Sequence, residues 1–531
     1  MSHDNKKKRP KIAVIGTGAA AFGVLTALLD KRSDFDIVVY DIGKQVAEIS
    51  PPDNPSEEWI ISFYDKIYKD IRSLYPFKFP PPKTHFGEQI PRHFLGQNID
   101  IFKSESFGGL TNYWGTTMLP LTDREMAKWP ISKESLEPYY QKIAEIVGIA
   151  GCPDALNEYF IRDFSTRPPI RPTPVLALLN EAVNQFKGGP VRNVSRSEAG
   201  GPARFESRSE SGGQFKIISG LNRCAVETRE DQPNHCLYCG ECLAGCFQGA
   251  LYSTRLTIKQ YFQDPRVRYK AGVRVSRIKK NRSLEIETDK GSEAGFSKIF
   301  LAAGCPASTE IIMRSFGLRD GLTMNDNAVY VFPILYLGKK PGRALHKSYL
   351  SLCNIILGCI PKTAAERFAQ VQIYPNFDYL WRYNIPAKIW PIIRPLLSFF
   401  RSRLFWGRLY LHSDYSPAYS LKLMSDRLAV DKVKFTEFSR LSLLMSDIRA
   451  AVNRKGFYIP FIPPIRQKVN SHQAGALPFG NKIFAVSSLG EAEAMPGLYL
   501  CDSTCLPDSP AINPAFTIMA NACRIADGVL G

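Results

Sequence analysis

Lys11-Ile-Ala-Val-Ile15, followed at once by Gly16-Thr-Gly-Ala-Ala-Ala21, is the stretch on which the reading of this 531-residue chain turns. Five mostly branched apolar residues ending in a glycine predict a short parallel strand buried on both faces. Gly16 permits a tight turn, Gly18 lets backbone approach a diphosphate, and Ala21 lets a helix pack closely on the strand. The helix N-terminus, over Phe22–Leu29, then faces the phosphates. A second strand, Ile37–Tyr40, ends in Asp41, about twenty residues past the turn, where a carboxylate meets the ribose hydroxyls. An acid there argues against a 2′-phosphate, so FAD or NAD is expected rather than NADP. The basic residues 6–9 before this run superficially resemble a secretory leader. The strand–turn–helix explains the same residues better, and a cytoplasmic protein is expected.

Working outward, 44% hydrophobic and 22% charged residues fit a globular enzyme of two to four cores and exclude a disordered, collagenous or coiled-coil chain. The net charge of +18 favours anionic partners. No basic run accompanies a nucleic-acid motif, so a membrane surface or a charged substrate is expected and nucleic acid is not.

Five further blocks lie along the chain. Ser106-Phe-Gly108-Gly109-Leu-Thr111-Asn112-Tyr-Trp114 is followed by Trp129-Pro-Ile131 and Leu136–Tyr140; Phe300-Leu-Ala-Ala-Gly304 comes next. Asn470-Ser-His472-Gln-Ala-Gly475 precedes a C-terminal run in which Gly497–Ser503, with Asp502, leads to Asn513-Pro514-Ala-Phe-Thr517 and a helix. In order and spacing these resemble the glucose–methanol–choline (GMC) oxidoreductases, nearest to the pyranose-oxidase and cholesterol-oxidase-like branches. The resemblance implies an α/β fold with a discontinuous FAD-binding Rossmann-like domain (11–50, 85–130, 190–330 and 470–531). It also implies a substrate-binding domain (331–469) built on a mostly antiparallel sheet with helices. It assigns FAD contacts to Gly16, Gly18, Ala21, Asp41, Gly108, Gly109, Thr111, Asn112, Asp502, Pro514 and Thr517. Tyr113 stands where some relatives tether flavin to a histidine, so non-covalent FAD is expected. His472 becomes the base for a substrate hydroxyl and Asn513 its hydrogen-bonding partner. An imidazole suits that task because its ordinary pKa near 6.5 lets it accept a proton at neutral pH.

Cys236-x₂-Cys239-x₂-Cys242-x₃-Cys246 has the spacing of a ferredoxin run. Three readings stay open: a [4Fe-4S] or [3Fe-4S] cluster (with Cys224 as a substitute for Cys246), structural zinc, or thiols without metal. A cluster would make the enzyme a dehydrogenase passing electrons to a quinone or carrier protein. The other eight cysteines are expected in the core. Finally, Leu380–Leu411 holds Trp381, Trp390, Trp406 and six basic residues with no acid. Leu396–Leu409 is expected as an amphipathic helix on the anionic inner face of a membrane, which suggests a lipid-linked or other alcohol or sugar substrate. Two alternative functions are carried: an oxygen-using oxidase with structural cysteines, and an electron-transfer flavoprotein.

Overall fold

The apolar run of β1 (Lys11–Ile15) is buried on both faces, as a central parallel strand requires. The computed structural model describes residues 9–31, 35–43, 55–74, 92–95, 100–160, 162–186, 192–194, 205–207, 213–339, 349–363, 366–376, 403–416, 418–425, 427–433, 438–467, 472–481 and 484–530, with a few isolated positions besides. β1 lies between β2 (Asp36–Asp41) and the strand Gly291–Leu301, parallel to both. Val267–Ala271 extends the parallel sheet beyond β2, and Leu498–Leu500 pairs in parallel with Gly291–Leu301. An antiparallel hairpin, Val275–Lys280 and Leu284–Thr288, completes it.

Helix α1 (Ala19–Asp30) leaves the Gly16–Gly18 turn and packs against the helix Ala515–Leu530. Their approach depends on Gly23, where a Cβ would overlap the carbonyl oxygen of Met519 and press on Ala522.

The second sheet is antiparallel throughout. Its order is Phe457–Tyr458, Ala328–Tyr336, Leu404–Leu411, Ala369–Pro375, Ile355–Pro361, Phe215–Leu221. Strand alternation separates its two faces. Phe332, Ile334, Ile355, Leu357, Val371, Ile373, Phe405 and Leu409 form one apolar face beneath the helices Pro174–Asn184 and Leu441–Val452. The opposite face carries Gln370, Gln372, Tyr374, Trp406, Arg408 and Tyr410, in cross-strand pairs Gln370–Tyr410, Gln372–Arg408 and Tyr374–Trp406.

The Rossmann-type sheet and the antiparallel second sheet are as the sequence suggested. Two features differ. The strand Phe215–Leu221, assigned to the 190–330 segment, belongs to the second sheet. The helix expected over 396–409 is a strand from Leu404 onward. Leu-Phe-Trp-Gly-Arg-Leu-Tyr-Leu alternates with period two, burying Phe405, Leu409 and Leu411 on one side. Trp381, Trp390 and Arg401 lie outside the described residues. Among the described residues no helix is long and apolar enough to cross a membrane.

Gly23→Ala should destabilise the fold by about 1–3 kcal/mol, the usual cost of forcing a methyl into a filled contact, measured by urea unfolding.

Candidate active site

The Gly16–Gly18 turn meets the loop 106–112. Gly109 lies against Gly18: a Cβ on Gly109 would come within 3.1 Å of the Gly18 Cα. Gly108 and Gly109 adopt positive φ of 93° and 59°, backbone that side chains resist. The Gly108 N–H donates to Thr17 Oγ1 (2.9 Å), and Thr17 Oγ1 in turn donates to Asp41 Oδ2 (2.6 Å). Asp41 also accepts from the Gly43 N–H. Burial outweighs these bonds and pushes the Asp41 carboxyl up to about 7. The N-terminus of α1 has no side-chain cap, so its N–H groups remain for a phosphate. A glycine cradle that a Cβ would fill, an uncapped helix end and an acid at the tip of β2 fit a dinucleotide cofactor such as FAD.

Two of the other expected cofactor residues hold the 106–112 loop. Thr111 Oγ1 donates to the Gly108 carbonyl (2.6 Å), and Asn112 Nδ2 to the Phe107 carbonyl (2.8 Å), so both hold the loop. Asp502 accepts from the Gly304 N–H (2.8 Å), Ser308 Oγ, and the N–H and hydroxyl of Thr504, joining Leu498–Leu500 to the helix Cys305–Phe316. Thr517 bonds the Tyr140 hydroxyl (2.7 Å). Ala21 is fully buried in α1, and Pro514 directly precedes the last helix.

His472 and Asn513 come together over the polar face of the second sheet. The segment around Ala474 pairs with Asn325, and the His472 N–H donates to Asp326 Oδ1 (3.1 Å). His472 Nδ1 lies 2.6 Å from Asn327 Oδ1. Asn327 Nδ2 donates to the carbonyls of Leu411 (2.9 Å), Ser509 (3.1 Å) and Pro510 (2.8 Å). The amide is thereby oriented with its oxygen toward the ring, so Nδ1 carries the hydrogen and Nε2 keeps its lone pair. The imidazole stacks on Tyr410, 5.5 Å between centroids and 19° from parallel. Burial, and secondarily the Arg408 charge, push the His472 pKa down to about 3.

Asn513 Oδ1 accepts from Nε2 of both Gln370 (3.0 Å) and Gln372, and the Tyr374 hydroxyl donates to Gln372 Oε1 (2.7 Å). The Asn513 amide N–H₂ is left free to donate. Thus base and donor rest on neighbouring strands, through the cross-strand pair Gln370–Tyr410.

Asn327, Gln370, Gln372, Tyr374, Arg408 and Tyr410 are site residues the sequence reading missed. Their signal was present in Ala-Gln-Val-Gln-Ile-Tyr-Pro375, an alternation that marks a strand with one polar face. Arg408 and Trp406, assigned to a membrane surface, lie on this interior-facing side instead.

Cys236, Cys239, Cys242 and Cys246 are all described and carry free thiols. Among the described residues no group of three or more His, Cys, Asp or Glu could hold a metal ion, so the structure lends no support to the cluster or zinc readings. Cys236 and Cys242 join a small apolar cluster with Ala150, Cys224, Val226, Leu350 and Leu352, whereas Cys239 packs on the main core. Burial, reinforced by the neighbouring thiols of Cys242 and Cys246, pushes the Cys236 and Cys239 thiols well up. Cys305, Cys353 and Cys523 are core residues as expected.

No family model and no curated protein matches the chain. Solved structures do. Pyridoxine 4-oxidase from Mesorbium loti aligns with a TM-score of 0.55 at 15% identity, over 98% of this chain and 99% of that one. Formate oxidase from Aspergillus oryzae RIB40, in a structure concerned with the effect of a mutation on its FAD modification, aligns with a TM-score of 0.58 at 12% identity, over 98% of both chains. The chain shares their fold, a Rossmann-type α/β unit joined to an antiparallel second sheet.

Two measurements check the site. Elemental mass spectrometry of anaerobically purified protein separates the three readings of the cysteine run: stoichiometric iron, stoichiometric zinc, or neither. The His472 ring, identified in labelled-histidine NMR by its loss in His472→Asn, should show no protonation step between pH 8 and pH 5, because the imidazole stays neutral until the pH falls toward 3.

Proposed function

We infer that this chain is a FAD-dependent oxidoreductase of the glucose–methanol–choline type, converting a CH–OH group to a carbonyl. The observation that carries this reading is His472, whose Nε2 keeps its lone pair because Asn327 takes Nδ1, on the sheet face that also holds Asn513. FAD, held non-covalently by Gly16, Gly18, Asp41 and the loop Gly108–Asn112, supplies the acceptor for a hydride from the carbinol carbon. The protein does the rest. Nε2 of His472 takes the hydroxyl proton, and Asn513 Nδ2 donates to the same oxygen, fixing the carbinol between them. Because burial and Arg408 hold the imidazole neutral, the base is ready throughout the physiological range. Its low basicity has a second effect. The proton it accepts is returned readily to water, so the base resets between turnovers.

The final acceptor in this reading is dioxygen, with hydrogen peroxide as product. The two structural neighbours named as oxidases support it. A quinone or a carrier protein is the alternative acceptor.

Denatured protein should release FAD into the supernatant. A panel of hydroxylated acids and sugars should include a compound that bleaches the flavin anaerobically and yields peroxide in air. His472→Asn should retain flavin yet slow bleaching by about 10²–10⁴-fold. Equal bleaching by the variant would remove the base from the mechanism, and bleaching without peroxide would assign the electrons to the alternative acceptor.

A further inference from the structure

The polar face of the second sheet holds a cation with no counter-charge. Arg408 lies over the rings of Tyr374 and Tyr410, 5.7 and 5.5 Å from their centroids. Its Nη2 donates to Gln467 Oε1 at 2.8 Å. Its Nε is buried and donates to nothing in the protein. No carboxylate among the described residues pairs with it. Two residues along the same face, Trp406 Nε1 is a second buried donor without an acceptor. Two buried arginines meet carboxylates, Arg223 with Asp154 at 2.8 Å and Arg367 with Asp414 at 3.0 Å, whereas Arg524, like Arg408, has amide and carbonyl acceptors only. A guanidinium cannot shed its proton, so a partly buried one is stabilised when an anion meets it.

The position shows what that anion is attached to. Gln372, the cross-strand partner of Arg408, donates to Asn513, while Tyr410 touches both Arg408 and His472. The charge therefore lies on the same sheet face as the base and the amide donor, linked to each through one residue, Tyr410 and Gln372. We propose that Arg408, with Trp406 beside it, is a specificity-determining residue that binds a carboxylate carried by the substrate, so that the compound oxidised is a hydroxy acid or sugar acid rather than a neutral alcohol or sugar. A carboxylate suits the planar guanidinium edge and its two aligned N–H groups. This deepens the proposed function and rests on its placing of the reacting carbon between His472 and Asn513. The +18 net charge of the chain serves the same end, drawing anions toward the molecule.

The test uses the FAD-loaded protein and matched probes: lactate and gluconate, their carboxamides, and inorganic phosphate. Binding is read by calorimetry and, independently, by perturbation of the flavin spectrum. The acids should bind at least tenfold more tightly than the amides. Arg408→Met, of similar length but uncharged, should erase that preference; Arg408→Lys should restore part of it. Acids and amides binding alike, or a preference unchanged in Arg408→Met, would overturn the proposal. Phosphate binding as tightly as the acids would overturn the assignment of a carboxylate. If Arg408→Met does not fold, the acid-to-amide ratio of the unmodified protein still decides. Calorimetric preference for acids without a flavin perturbation would place the anion away from the cofactor and overturn the placement. Failure of the protein to hold FAD would instead overturn the proposed function, while calorimetry would still read anion preference.

Discussion

The side-chain amide of Asn327 is the joint on which the site depends. Its nitrogen faces three backbone carbonyls, from the end of the Leu404–Leu411 strand and from residues 509 and 510, and its oxygen faces the imidazole. A buried hydrogen bond adds about 1 kcal/mol net, and each one left unmade costs about 1–3 kcal/mol. Rotating the amide would break all of these at once and set hydrogen against hydrogen at Nδ1. One residue thus fastens the second sheet to the C-terminal segment and selects the tautomer of the base. Ser509 reinforces the joint, its hydroxyl donating to the His472 carbonyl at 2.8 Å.

The second sheet shows how one alternation serves two purposes. Its apolar face buries large side chains beneath two helices and supplies stability in proportion to area. Its other face is built from Gln, Tyr, Trp and Arg, whose burial adds cost unless partners are found. Most partners come from within the face: Gln372 serves Asn513, and Tyr374 serves Gln372. Arg408 Nε, Trp406 Nε1 and Gln370 Oε1 are left over on this face; buried polar atoms without a partner occur elsewhere too, at Arg124 Nε, Asn222 Oδ1 and Glu366 Oε2 for example.

Local patterns made the nucleotide half legible. The strand–glycine–helix unit at 11–30 and Asp41 are set by neighbours in sequence, and the blocks at 472 and 502–517 kept their order. The Gln–Arg–Tyr face was not legible, because it exists only after strands 369–375 and 404–411 pair, and composition alone does not say which face of a strand looks inward. The helix expected over 396–409 was misread for the same reason: Trp406, Arg408 and Tyr410, at two-residue spacing, share one face of a strand. Ligand spacing in the cysteine run states only that four thiols are close along the chain; it does not choose between a cluster, zinc and metal-free thiols.

The packing of α1 on the helix Ala515–Leu530 has a consequence for synthesis. β1 and α1 leave the ribosome early, yet α1 buries its face only against residues some five hundred positions later, and the parallel sheet also awaits 267–301 and 498–500. Until then the nascent nucleotide-binding half displays an uncovered apolar helix and open strand edges, the features that invite aggregation. Such a topology, dominated by distant contacts, folds slowly. The parallel sheet that carries the glycine turn is therefore complete only once residues 498–500 have been made.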